Sequence, residues 1–187
     1  MVELESGDLL FVQSSTEKFA RLIAASTQYA PDKPNYTHVA LAVKQAGKYF
    51  VLHANQKRGC IRQILTAFLA ERPKQTIDVY RLLNAEVDFV QVIAKAAALL
   101  GQPYNHSFIK EQPGYYCSEF ICEIFKDSGV FHEVPMKFGP NGTILSGWKK
   151  YYQQLGLSVP IGQLGSSPNL LIEQAGATEL KFCGHLK

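Results

Sequence analysis

Cysteine and histidine are the side chains here best able to attack a carbonyl and shuttle a proton near neutral pH, and the chain has four of one and five of the other. Cys117 stands out by position. It follows Pro113, Gly114, Tyr115 and Tyr116 and opens a segment in which Phe120, Ile121, Ile124 and Phe125 fit one helix face. A thiol at a helix start meets unpaired backbone N–H groups and the positive end of the helix dipole, which favour thiolate and lower its pKa. The bland alternative is a small buried apolar residue, and that description suits Cys122, inside the same helix. Cys60 follows a turn glycine and Cys183 lies near the end of the chain, so neither receives a catalytic role. No two cysteines form a Cys-x-x-Cys pair and none has zinc-ligand spacing, which points to reduced thiols and no metal.

A thiol nucleophile needs a base. Tyr36 to Val43 and Tyr49 to Ala54 are β-rich runs separated by Lys44, Gln45, Ala46, Gly47 and Lys48, the pattern of an antiparallel hairpin. A turn centred on Ala46 and Gly47 pairs Gln45 with Lys48 and sets Ala40 opposite His53. His38 then lies one diagonal step from His53 on the same face, roughly 7 to 8 Å away at the backbone, a gap two imidazoles can close. One residue more or less in the loop would put them on opposite faces. His38 shares its face with Ala40 and Ala42, which leave room for another element, while Val39, Leu41 and Val43 occupy the other. The alternative for His38 is a half-buried histidine satisfied by a backbone carbonyl, and that reading is kept for His106, His132 and His185.

A helix-start cysteine, a strand histidine and a second polar residue on the next strand make the layout of a thiol acyl-transfer site. The remaining elements must position it. Gly7 to Gln13 reads as a buried strand, followed by a helix capped by Ser14 and Ser15, running to about Tyr29 and ended by Pro31 and Pro34. Ile61, Ile64, Leu65, Phe68 and Leu69 suggest a helix stopped before Pro73, and Thr76 to Leu82 a further strand. Phe89 to Leu100 carries a helical stripe, with Asp88 as cap and Gly101 at its close. The last fifty residues, punctuated by Gly, Pro and Asn yet rich in Trp148, Tyr151, Tyr152, Leu170, Leu171 and Ile172, are expected to form an irregular packed layer. With 187 residues, 47% of them apolar, and no repeat or linker, one domain spanning 1–187 is expected. The net charge of +3 is spread along the chain, which argues against nucleic acid. No apolar run is long enough to span a bilayer.

The segments Gly7-Asp8-Leu9-Leu10-Phe11, Tyr36-Thr37-His38-Val39-Ala40, Gly101-Gln102-Pro103-Tyr104-Asn105, Tyr116-Cys117-Ser118-Glu119-Phe120 and Ser167-Pro168-Asn169-Leu170 occur in the order in which they resemble the circularly permuted papain-like amidases of the NlpC superfamily, in particular the YiiX/YaeF-like group. The resemblance implies an α+β fold, a small antiparallel sheet packed against helices, with the histidine ahead of the cysteine. It makes Cys117 the nucleophile and His38 the general base and acid, and puts the third polar residue at His53, where an acidic side chain would be expected. Tyr104, Tyr115 and Tyr116 become candidates to shape the substrate pocket, the Cys117 N–H the oxyanion donor. It implies hydrolysis of an amide, in a cell-wall peptide or small amino-acid conjugate, through a thioacyl intermediate and without metal or organic cofactor. One alternative keeps these residues but makes the protein an acyltransferase or thioesterase on lipid or acyl conjugates, with an apolar groove built around Phe138, Trp148 and Tyr152. Another is a binding module on an inactive scaffold. Oligomeric state stays open, as does address: cytoplasm as written, cell envelope if a leader has been removed.

Overall fold

The computed structural model describes residues 2–27 and 32–186. The chain forms, in order, β1 (Leu9–Gln13), α1 (Lys18–Thr27), β2 (Tyr36–Gln45), β3 (Lys48–Asn55), β4 (Gly59–Ile64), α2 (Leu65–Ala70), β5 (Ile77–Leu82), α3 (Phe89–Ala98), α4 (Cys117–Ile124), β6 (Val134–Pro135), α5 (Ser146–Leu155), β7 (Leu164–Gly165), α6 (Pro168–Glu179) and β8 (Leu180–Leu186). Six strands make one antiparallel sheet in the order β4-β3-β2-β1-β5-β8, and β6 pairs with β7 apart from it. The expected end of α1, at Tyr29 and Pro31, lies outside the described residues.

The hairpin that joins β2 to β3 fixes the site's register. Ala46 and Gly47 both take positive φ, 48° and 74°, as a two-residue turn matched to strand twist requires, and Gln45 pairs with Lys48 as expected. The two faces of β2 separate as their side chains dictate. Val39 and Leu41 join a large apolar cluster with Phe120, Ile121 and Ile124 of α4 and with Phe125 just past its end. Ala40 and Ala42 face the other way, into a cluster closed by Phe68 of α2. Each fully buried apolar side chain contributes roughly 1.5–3 kcal/mol, so Phe120, Ile121, Ile124 and Phe125 anchor the helix, and with it Cys117, against the sheet.

Two expectations are corrected. Ile61 and Ile64 belong to β4, which pairs with β3 from Phe50↔Ile64 to Asn55↔Gly59; the helix begins only at Leu65. Asn55 accepts the N–H groups of Lys57 and Arg58 and makes the tight turn between these strands, so hairpin chemistry prevails over the helical spacing of the isoleucines. The last fifty residues are more regular than expected. They contain two helices, and β8 adds to the edge of the main sheet beside β5.

Candidate active site

Cys117 is the first residue of α4, and its fixed place owes much to the loops before it. The 101–105 segment is clamped between β4 and the 113–116 turn. Gly101 N–H donates to the Cys60 carbonyl and Cys60 N–H to that of Gln102, while Tyr115 N–H donates to Pro103 O. A Cβ at Gly59 would lie 2.2 Å from the Gln102 carbonyl oxygen, and one at Gly114 2.1 Å from that of Pro103. Only glycine lets the backbones close that far. Glu119 then caps the helix by accepting the Tyr116 N–H at 3.2 Å, and its carboxylate also lies 3.4 Å from the Asn105 amide nitrogen.

Burial raises the Glu119 carboxyl from 4.5 to about 7. Between those values the unfolded chain gives up its proton while the folded one keeps it, so stability falls as pH rises through that window, by up to roughly 3 kcal/mol, and the loss persists above it. Urea midpoints should accordingly drop between pH 5 and pH 8 for the native chain. In Glu119→Gln, which keeps an acceptor for the Tyr116 N–H, the drop should shrink; parallel curves for the two proteins would show that Glu119 is not its source.

The thiol itself is held at a parting in the sheet. Pairing of β2 with β3 stops at Leu41↔Leu52. The Ala42 N–H donates to Asp8 O on the β1 side, and by strand alternation the Val39 N–H faces β3, where no ladder partner takes it. The backbone N–H groups of Val39, of Ser118 and of Cys117 itself lie near enough to favour the thiolate. These donors pull the thiol toward ionisation, but burial outweighs them and raises it to about 11. The lowered pKa expected from the helix start is therefore corrected: the dipole effect is present, and the loss of solvent around a thiol only 6% exposed exceeds it.

His38 and His53 meet edge to face, with His38 Nε2 2.9 Å from His53 Nδ1. His53 is fully buried and both rings lie against Phe68. Burial, helped by the Arg72 guanidinium, holds His38 well below the ordinary imidazole range and His53 down at about 3. Both rings are therefore neutral at physiological pH. Among the described residues no hydrogen bond joins the thiol to His38, whose Nε2 is engaged by His53. The Val39 nitrogen, whose N–H acts on the thiol, is two bonds from His38 Cα, so the thiol lies near the backbone of the histidine strand.

Beyond His53 the polar contacts continue. His53 Nε2 lies 3.3 Å from Gln63 Oε1. The Gln63 amide donates to Glu71 at 2.7 Å, and Glu71 accepts from Arg58 at 2.7 Å. Reading β4 as helix hid Gln63 and Glu71. The usable signal was Asn55 and Gly59 bracketing a short polar turn, which makes 59–64 a strand and sets Gln63 on the same face as His53, one diagonal step away.

A cavity of about 400 Å³ opens beside Cys117, lined by Phe108, Met136, Phe138, Trp148 and Leu170 among others. Tyr104 and Tyr116 also border it, the latter accepting the Ser166 N–H through its hydroxyl. Tyr115 lies outside it, on the turn that carries the helix. A more polar cleft of about 620 Å³ runs past His38, Arg58, Glu71 and Arg72. Ile23 and Thr37 border both spaces, so thiol and imidazole stand on either side of one shared boundary.

A helix that begins with cysteine, packed on an antiparallel sheet whose histidine strand comes earlier in the chain, defines a papain-like protein of permuted connectivity. The chain belongs to the permuted papain-like amidase enzymes of the YaeF/YiiX, C92 family, whose model matches residues 3–155. It is thus an enzyme of the amidase class. Among solved structures, that of the metalloprotein yiiX from Escherichia coli O157:H7 shares the fold, with a TM-score of 0.76 at 20% identity over 95% of each chain. No curated protein matches the chain. His38, His53 and Gln63 are engaged with one another, and among the described residues no three His, Cys, Asp or Glu side chains converge as a set that could hold a metal ion. Among the described residues no helix is long and apolar enough to cross a membrane.

Proposed function

We propose that residues 1–187 form one cysteine amidase in which Cys117 is the nucleophile, His38 the general base and acid, and His53 the group that orients His38. The observation that supports this reading is the thiol at the start of α4 set near the Val39 N–H, the peptide group that follows His38, on a strand whose imidazole has its Nε2 taken by His53. As Sγ attacks the amide carbonyl, its proton passes to His38 Nδ1, the ring nitrogen not bonded to His53. The new oxyanion is received by N–H groups at the start of α4, the Cys117 N–H foremost. His38 returns the proton to the departing amine, leaving a thioacyl enzyme, and then activates the water that releases the acid.

The resting pair is neutral thiol and neutral imidazole, since burial disfavours both charged forms. Proton transfer thus accompanies attack and is helped when substrate fills the cavity. The substrate we infer is a peptide or small amino-acid conjugate. A second reading, acyl transfer or thioester cleavage on lipid or acyl conjugates, is favoured by the apolar lining of the cavity at Phe108, Phe138 and Trp148.

The two separate in one assay. Mixed panels of cell-wall peptides and of N-acyl amino acids with short and long chains are incubated with the enzyme, and the products are identified by mass. Free acid and free amine from amide members support the amidase. Turnover confined to thioesters, or an acyl group delivered to an added amine or alcohol with no free acid, would replace it with the second reading.

A further inference from the structure

We propose that Gln63 and Glu71 are positioning residues that set the proton pattern of both histidines, so that His38 presents a lone pair at Nδ1. The inference deepens, and rests on, the reading of His38 as the base. It starts from the one group in the row whose role is fixed by chemistry. The Glu71 carboxylate, paired with the Arg58 and Arg72 guanidiniums, can only accept hydrogen bonds. The Gln63 atom 2.7 Å from it must then be the NH2, which turns the amide oxygen toward His53. An amide oxygen can only accept, so His53 carries its proton on Nε2 and offers an unprotonated Nδ1. His38 Nε2, 2.9 Å from that Nδ1, must donate, and a neutral His38 that is protonated on Nε2 has its lone pair on Nδ1.

The row thus runs Glu71, Gln63, His53, His38, with every hydrogen bond pointing toward the carboxylate. No proton travels along it. When His38 takes the thiol proton at Nδ1, its Nε2–H stays bonded to His53 and the positive charge is met by an oriented acceptor. The arrangement answers the puzzle posed by a histidine where a carboxylate would be expected. His53 alone is indifferent to which nitrogen holds its proton; with the Gln63 amide aimed by Glu71, only one tautomer leaves every contact satisfied. Were the amide to flip, its NH2 would face His53 Nε2, His53 would hold its proton on Nδ1, and His38 would be driven to the tautomer that cannot accept from sulfur.

Glu71 also meets Arg58 at 2.7 Å and Arg72 at 3.6 Å, so a structural role must be told apart from an orienting one. Ring-nitrogen NMR on uniformly labelled protein at pH 8 reads the tautomers directly, and the rate of Cys117 alkylation by iodoacetamide, followed by peptide mass, reads the base. The native protein should show Nε2–H on both histidines. Glu71→Gln should give mixed tautomers and slow alkylation severalfold. The exchange Gln63→Glu with Glu71→Gln, which places the acceptor-only carboxylate next to His53 and an amide beyond it, should restore the single tautomer. Arg58→Met, which removes the shorter of the two ion pairs and leaves the amide alone, should keep native tautomers.

Unmixed tautomers in a folded Glu71→Gln protein would overturn the proposal, as would native tautomers other than Nε2–H. If the single variant unfolds, the exchange protein and Arg58→Met decide by the same spectra. Tautomers that scramble as expected while alkylation is indifferent even to His38→Ala would support the relay and remove His38 as base, so the two failures are distinct.

Discussion

Cys117→Ser is expected to lower amide hydrolysis by about 10⁴-fold or more, in line with the loss of a covalent nucleophile in enzymes of this kind. The magnitude follows from the site. The neutral resting pair transfers its proton during attack, and a hydroxyl is a far poorer proton donor to His38 than a thiol raised to about 11. The exchange is nearly isosteric at a buried position anchored by Phe120, Ile121, Ile124 and Phe125, so stability should change by about 1 kcal/mol or less. Thermal unfolding and turnover of the same preparations check both halves. Retained activity beyond about one-tenth would mean that sulfur is not the attacking atom.

His38→Ala is expected to be nearly as severe, and to change the shape of the pH profile as well as its height. In the native enzyme the low-pH limb reports protonation of the base, which burial and Arg72 push well below the ordinary imidazole range, and the high limb reports the thiol at about 11. Activity should therefore run as a broad plateau through neutral pH, its limbs belonging to the coupled pair. Without His38 only pre-formed thiolate can react. At pH 7.5 a thiol titrating at about 11 supplies a fraction on the order of 10⁻³ to 10⁻⁴, which sets the expected loss. That loss should recover about tenfold per pH unit toward the thiol's own value. His53→Ala should cost less, because it removes an orienting contact and not the base. A flat profile in His38→Ala, or a low limb near pH 6.5 in the native enzyme, would contradict the neutral-pair picture.

The parts of the site that local sequence chemistry controls were legible, and those set by tertiary burial were not. The Ala46-Gly47 turn dictated the hairpin register, and from it the meeting of His38 with His53, because side-chain alternation leaves no second solution once the turn is placed. The start of α4 at Cys117 followed equally from its turn-rich approach and its apolar face. The thiol's pKa did not, since the helix start argues one way and burial in the packed core argues the other, and only the packed structure weighs them. Gln63 escaped because Ile61, Ile64 and Leu65 fit a helical period, and only the pairing of 59–64 with β3 overrules it. The C-terminal strand β8 was obscured in the same way: Gly184, at a φ of 128°, breaks the apolar alternation where the strand is irregularly paired with β5.

The most direct test of the Cys117–His38 pairing is to quench the enzyme in acid during turnover of an N-acyl amino-acid amide and map the acyl mass by peptide. The expected result is an acyl adduct on the Cys117 peptide alone, accumulating in the native enzyme and lost in Cys117→Ala, with its formation slowed on the order of 10³-fold in His38→Ala at pH 7.5. Hydrolysis that proceeds with no mass on Cys117 and survives both substitutions would contradict it.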